Sequence, residues 1–182
     1  MTSPTVKRVV LFGPESTGKT RLAGELASYY GEPWVPEYVR GFWDAHAGRI
    51  EAGDLGAIAR GQLEAEDEAA ERAQRVLFCD TDLLTNVIWA DLLFPGACPS
   101  WVREEADRRC RSYALYLFCL TDLPFEPDPQ RCFPDEAGRA MCLRLWRETL
   151  VGRGLLYREI AGEGDLRLKR AVAAVESVLG PG

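Results

Sequence analysis

Two spacings of apolar residues alternate along the chain. Short β-rich runs at Arg8 to Phe12 (RVVLF), Trp34 to Pro36, Val76 to Asp80 (VLFCD), Ala114 to Leu120 (ALYLFCL) and Leu155 to Ile160 (LLYREI) predict five strands. Stretches of helical period lie between them. From Lys19 to Tyr30, Leu22, Leu26 and Tyr30 share one face and Gly31 supplies the stop. Asp54 opens a longer segment through Arg75, in which Leu55, Ile58 and Leu63 lead a mostly alanine inner face and Glu64, Glu66, Asp67, Glu68 and Glu71 form a solvated one. The apolar LLTNVIWADLL reads as a further helix. Asp135 is placed to cap one that ends near Val151, and Leu168, Ala171, Val172, Val175 and Leu179 mark the last.

Strands that alternate with helices imply a mostly parallel sheet covered on both faces, and the continuous apolar runs VVLF and LYLFCL suit strands buried on both sides. The fold class is therefore α/β with three layers. At 182 residues and 47% hydrophobic, the chain has the size of one domain with one substantial core. Lys and Arg number 22 against 28 Asp and Glu, a net charge of −6, so the basic footprint of a nucleic-acid binder is missing. No apolar run is long enough to span a membrane, and MTSPTVKRVVLF lacks the apolar stretch and cleavage site of a leader, so a cytoplasmic protein is expected. Cys79, Cys98, Cys110, Cys119, Cys132 and Cys142 form no C-x-x-C pair and have only His46 to join them, so they read as reduced thiols.

One motif adds chemistry to this frame. Gly13 to Thr20 reads GPESTGKT and fits G-x-x-x-x-G-K-(S/T), between an apolar strand and an amphipathic helix, where a phosphate-binding P-loop belongs. Gly13 and Gly18 let the backbone curl, so that the N–H groups along Glu15, Ser16, Thr17 and Gly18 point at phosphate oxygens beside the positive end of the helix. Lys19 is expected at the β and γ phosphates of ATP, and Thr20 at the Mg2+ ion bridging them.

In such sheets ligands sit beyond the carboxyl ends of the strands. PEYVRGF places Glu37, Tyr38 and Arg40 after the second strand, as a carboxylate, a ring and a cation for an acceptor. CDTDLLT places Asp80 at the end of the third, as a magnesium-ordering aspartate, and Asp82 two residues on, either facing the acceptor or capping the next helix. The proline-rich stretch from Asp122 to Arg139 suits a loop closing over ATP, with Arg131 and Arg139 supplying charge to the transferring phosphoryl group. Trp89, Trp43 and Trp34 are candidates to stack on an aromatic acceptor, though tryptophans serve more often in cores.

In the order GPESTGKT, PEYVRGF, IARGQ, FCDTDLLT, DLPFEPDPQR, the chain resembles the ribosylnicotinamide kinase domain of the bacterial NAD-biosynthesis regulator (NadR) family, along nearly its whole length. The resemblance implies a nucleoside- or nucleotide-kinase-like P-loop fold with sheet order 2-3-1-4-5 and a lid. It also implies ATP-dependent phosphorylation of the ribose 5′-hydroxyl of nicotinamide riboside. Gly13, Gly18, Lys19 and Thr20 match the nucleotide loop, Glu37, Tyr38, Arg40, Asp80 and Asp82 the acceptor-side motifs, and Arg131 the lid. Either Asp82 or Glu37 receives the hydroxyl proton, with Asp82 slightly favoured. Full-length members also carry a helix-turn-helix and an adenylyltransferase domain with an H-x-G-H motif; with a single histidine, this chain is expected to have neither activity. A kinase of another nucleoside or nucleotide, and an ATP-binding regulatory module, remain the alternatives.

Overall fold

The computed structural model describes residues 6–180; residues 1–5, part of the stretch read for a leader, lie outside them. The described chain runs β1 (Lys7–Phe12), α1 (Lys19–Tyr30), β2 (Trp34–Val35), α2 (Tyr38–Ala45), α3 (Leu55–Arg72), β3 (Val76–Asp80), α4 (Leu83–Leu93), α5 (Ser100–Arg109), β4 (Leu115–Cys119), α6 (Glu136–Gly152), β5 (Tyr157–Ile160) and α7 (Gly164–Leu179). The five strands form one parallel sheet in the order β2-β3-β1-β4-β5, as the resemblance implied.

Side chains alternate across the central strands, and the alternation separates two cores. Val9 and Leu11 of β1 face α1 and α7 and pack with Leu22, Leu26, Ala171 and Val175. Val10 and Phe12 face the other way, toward Leu77, Tyr116, Phe118 and Trp146 beneath α3, α4, α5 and α6. Trp146 is fully buried, with its ring 6.5 Å from Phe12 and 5.1 Å from Trp89.

Local chemistry explains the boundaries. α1 starts after Gly18 (φ 76) and stops at Gly31 (φ 66), whose N–H returns to the Ala27 carbonyl. Both are left-handed positions that glycine occupies without strain. α6 is capped by Asp135, whose side chain accepts from the Gly138 N–H. The last helix begins at Gly164, earlier than the apolar spacing alone marks. Two helices escape the apolar pattern. PEYVRGF, directly after β2, opens α2, none of whose residues is buried. α5 (SWVREEADRR) is largely charged and buries only Val102, Ala106 and Arg109.

Candidate active site

The sheet's carboxyl edge opens into a cavity of about 850 Å3, within the range of small-molecule sites. The loop after β1 forms one end. Gly13 has φ 147, and a Cβ there would lie 2.6 Å from the Cys119 carbonyl oxygen, so only glycine lets the loop lie this close to β4. The Thr17 hydroxyl donates to the Pro14 carbonyl at 2.9 Å, fixing the curl. Lys19 Nζ donates to the same carbonyl at 2.7 Å, folded back over its own loop.

Thr20 Oγ1 donates to Asp80 Oδ2 at 2.5 Å, while the second oxygen, Oδ1, is buried without a hydrogen-bond partner. Burial, and after it the negative charge of Glu37, push the Asp80 carboxyl up to about 6. A hydroxyl beside a carboxylate with a spare oxygen is a donor pair for a hard divalent cation that keeps most of its water. Among the described residues no cluster of three or more His, Cys, Asp or Glu forms an all-protein metal cage.

Thr81 takes a left-handed φ of 72, unusual for a β-branched residue, and its N–H donates to the Leu11 carbonyl. This twist separates the two aspartates. Asp82 does not line the cavity: it is 1% exposed, and its carboxylate accepts from the Thr85 N–H at 3.2 Å and the Tyr116 hydroxyl at 2.8 Å. The acceptor-facing role expected for it is therefore corrected to that of helix cap for α4. Burial drives its carboxyl up to about 7 against those two hydrogen bonds.

Glu37 and Arg40 line the middle of the cavity, Arg40 Nε lying 3.3 Å from Glu37 Oε2. Tyr38 does not join them. Its ring lies across α3 at Gly61, where a Cβ would run into it, and its backbone N–H donates to Gln62 Oε1 at 2.8 Å. The far end of the cavity is apolar, walled by Trp43, Leu55, Ile58, Trp89, Leu93 and Val102. Trp89 and Trp43 thus both line the cavity, whereas Trp34 packs on the opposite face of the sheet, in the core around α1.

The segment after β4 covers this cavity, tied to the phosphate loop at several points. Glu15 Oε1 accepts from the Cys132 and Phe133 N–H groups at 2.8 and 2.6 Å, and Ser16 Oγ from the Glu126 N–H at 2.8 Å. Arg131 lines the cavity, its Nη1 donating to the Glu126 carbonyl and to Ser16 Oγ. Arg40 Nη1, from α2, reaches Asp128 Oδ2 at 3.3 Å. Arg139 does not reach the cavity. It belongs to the first turn of α6, where it donates to the Thr121 and Leu123 carbonyls at 3.2 and 2.8 Å and sits over Phe125, so it anchors the base of the covering loop.

Arg167 is a component that the sequence reading passed over. It is 4% exposed, lines the cavity, and donates to the carbonyls of Thr17, Leu120 and Gly162 and to Asp122 Oδ1, joining the loops after β4 and β5 to the phosphate cradle. Buried in an otherwise ordinary charged stretch, LRLKR, it offers no motif; only the neighbouring Gly162 and Gly164 hint at a loop close to the site.

Residues 8–167 match the family described as AAA domain. The chain belongs to that family. This AAA domain is 33% identical over 180 residues to the trifunctional NAD biosynthesis/regulator protein NadR of Salmonella typhimurium, and 26% identical to that of Escherichia coli. In both cases the match covers 96% of this chain and 43% of the relative, so the chain spans less than half the length of these proteins. A crystal structure of NadR in complex with NR superposes with a TM-score of 0.75 at 22% identity, over 98% of this chain and 53% of that one. NadR with NAD and AMP-PNP gives 0.73 at 24%, over 98% and 51%. Thymidylate kinase from Ehrlichia chaffeensis gives 0.62 at 12%, over 96% and 99%. The fold is that of the P-loop kinases.

Proposed function

We propose that this AAA domain is an ATP-dependent phosphotransferase that converts nicotinamide riboside to nicotinamide mononucleotide by phosphorylating the ribose 5′-hydroxyl. The observation that carries the reading is the joining, in one cavity, of a phosphate cradle at one end and a tryptophan-walled chamber at the other, with Glu37 and Arg40 between them. Similarity to NadR over 96% of the chain, and a shared fold with NadR bound to NR, support the choice of acceptor.

The P-loop N–H groups and Lys19 hold the phosphates, for which Lys19 Nζ exchanges the Pro14 carbonyl for phosphate oxygens. Thr20 and Asp80 fit Mg2+, which supplies charge neutralisation on the β and γ phosphates when bound. The apolar chamber orients the base, and Glu37 accepts the hydroxyl proton. Arg131 supplies positive charge toward the transferring phosphoryl group and, with the covering loop as a lid, excludes water. Free thiols at all six cysteines and a net charge of −6 accord with a cytoplasmic enzyme that needs no nucleic acid; among the described residues no helix is long and apolar enough to cross a membrane.

The test is ADP release from magnesium-ATP with and without nicotinamide riboside, beside a Lys19→Ala control. Strong stimulation by the riboside, absent in the control, is the expected result. Hydrolysis indifferent to the riboside would instead support a nucleotide-dependent regulatory module.

A further inference from the structure

The apolar chamber contains one polar side chain that the mechanism does not use. Asn86 lines the cavity from α4, one and two turns before Trp89, Ala90 and Leu93, spacings that put all four on one helix face. Its Nδ2 is buried and has no hydrogen-bond partner among the described residues. Among the cavity residues contributed by α2, α3, α4 and α5, Arg40 is charged and Asn86 is the only neutral polar side chain; the others are apolar. A buried donor left unpaired is costly, and native structures pair nearly all of them with protein, ordered water or a ligand; at Asn86 the cavity leaves room for a ligand to do so.

We infer that Asn86 is a specificity-determining residue that selects an acceptor whose aromatic base carries a neutral amide. This rests on the riboside-kinase reading above and deepens it. The side-chain amide offers one donor end and one acceptor end in a fixed plane. A carboxamide on the acceptor ring complements both: its carbonyl accepts from Nδ2 and its NH2 donates to Oδ1. A carboxylate on the same ring satisfies Nδ2 but sets a negative oxygen against Oδ1. It would also lose its hydration in a chamber walled by Trp43, Trp89 and Leu93, where the cation nearest that wall, Arg40, is already paired with Glu37 and Asp128. A site built around a hydrogen-bonding group rejects analogues that cannot reproduce its pairs far better than an apolar pocket rejects a size change.

The experiment compares nicotinamide riboside with nicotinic acid riboside, its carboxylate counterpart, as acceptors for the wild-type chain, Asn86→Ala and Asn86→Asp. Wild type is expected to prefer the carboxamide. Asn86→Ala should lower its kcat/KM on the carboxamide by about ten- to a hundred-fold, mostly through the acceptor KM, and compress the preference, with the KM for ATP unchanged. Asn86→Asp keeps the shape and removes the donor, so it should lose a similar factor on the carboxamide and use the carboxylate still less; it carries the test if the alanine variant fails to fold. A wild-type enzyme that uses the carboxamide riboside without preference, or variants that leave the preference unchanged, would overturn the role of Asn86 alone. A wild-type enzyme that phosphorylates neither riboside would overturn the riboside reading and this inference with it.

Discussion

Replacing Asp82 with asparagine separates a capping aspartate from a catalytic one. In the fold Asp82 is 1% exposed and its carboxyl is raised to about 7. The rise from 3.8 to about 7 corresponds to a cost on the order of 4 kcal/mol for ionising it in place. The sign follows from proton binding. Between the two values the folded chain holds a proton that the unfolded chain has released, so the stability this group contributes is full below about pH 4 and falls as pH rises toward 7. Asparagine keeps the cap on the Thr85 N–H and an amide to meet the Tyr116 hydroxyl, but cannot ionise. Asp82→Asn should therefore gain about 2–3 kcal/mol relative to wild type between pH 5 and pH 8, measured by urea unfolding of the nucleotide-free protein in EDTA. Phosphotransfer should stay within a few-fold of wild type. A stability difference that does not change with pH, or loss of turnover in a variant that folds and binds ATP normally, would refute the capping role and return Asp82 to the chemistry.

Lys19→Ala should reduce acceptor-dependent turnover by about a hundred-fold or more while the melting temperature without nucleotide stays near wild type, because the lysine's one hydrogen bond in the fold is to its own loop. Asp80 must be ionised to hold a cation, so magnesium-nucleotide affinity, followed by calorimetry, should weaken as pH falls below about 6; a flat profile from pH 5 to 8 would count against this ligand. Asp128→Ala cuts the Arg40 tie to the lid, which is partly exposed, so stability should change by less than about 1 kcal/mol and the effect should appear in the acceptor KM. Trp146→Ala empties the centre of the core beneath α6 and should cost about 3–5 kcal/mol in denaturant unfolding.

The central strands were legible in the sequence because they are buried on both sides and their apolar runs are continuous, and α1 because a phosphate loop and Gly31 mark its ends. α5 was not, because ten mostly charged residues with two apolar contacts give no periodic stripe. Motifs located the phosphate end of the site, where backbone geometry and a few fixed residue types do the work. They misplaced Tyr38, Asp82 and Arg139, since a motif records proximity along the chain and not the direction of a side chain: the left-handed turn at Thr81 sends Asp82 into the core, and the packing on Gly61 takes Tyr38 out of the cavity. Asn86 was hidden inside LLTNVIWADLL, which reads as an apolar helix until one of its few polar positions is seen to meet the cavity.

The most direct measurement is identification of the phosphorylated product. With γ-labelled ATP, magnesium and nicotinamide riboside, the label is expected in nicotinamide mononucleotide, one equivalent for each ADP released. Label recovered only as inorganic phosphate, at a rate that the riboside does not change, would contradict the kinase reading.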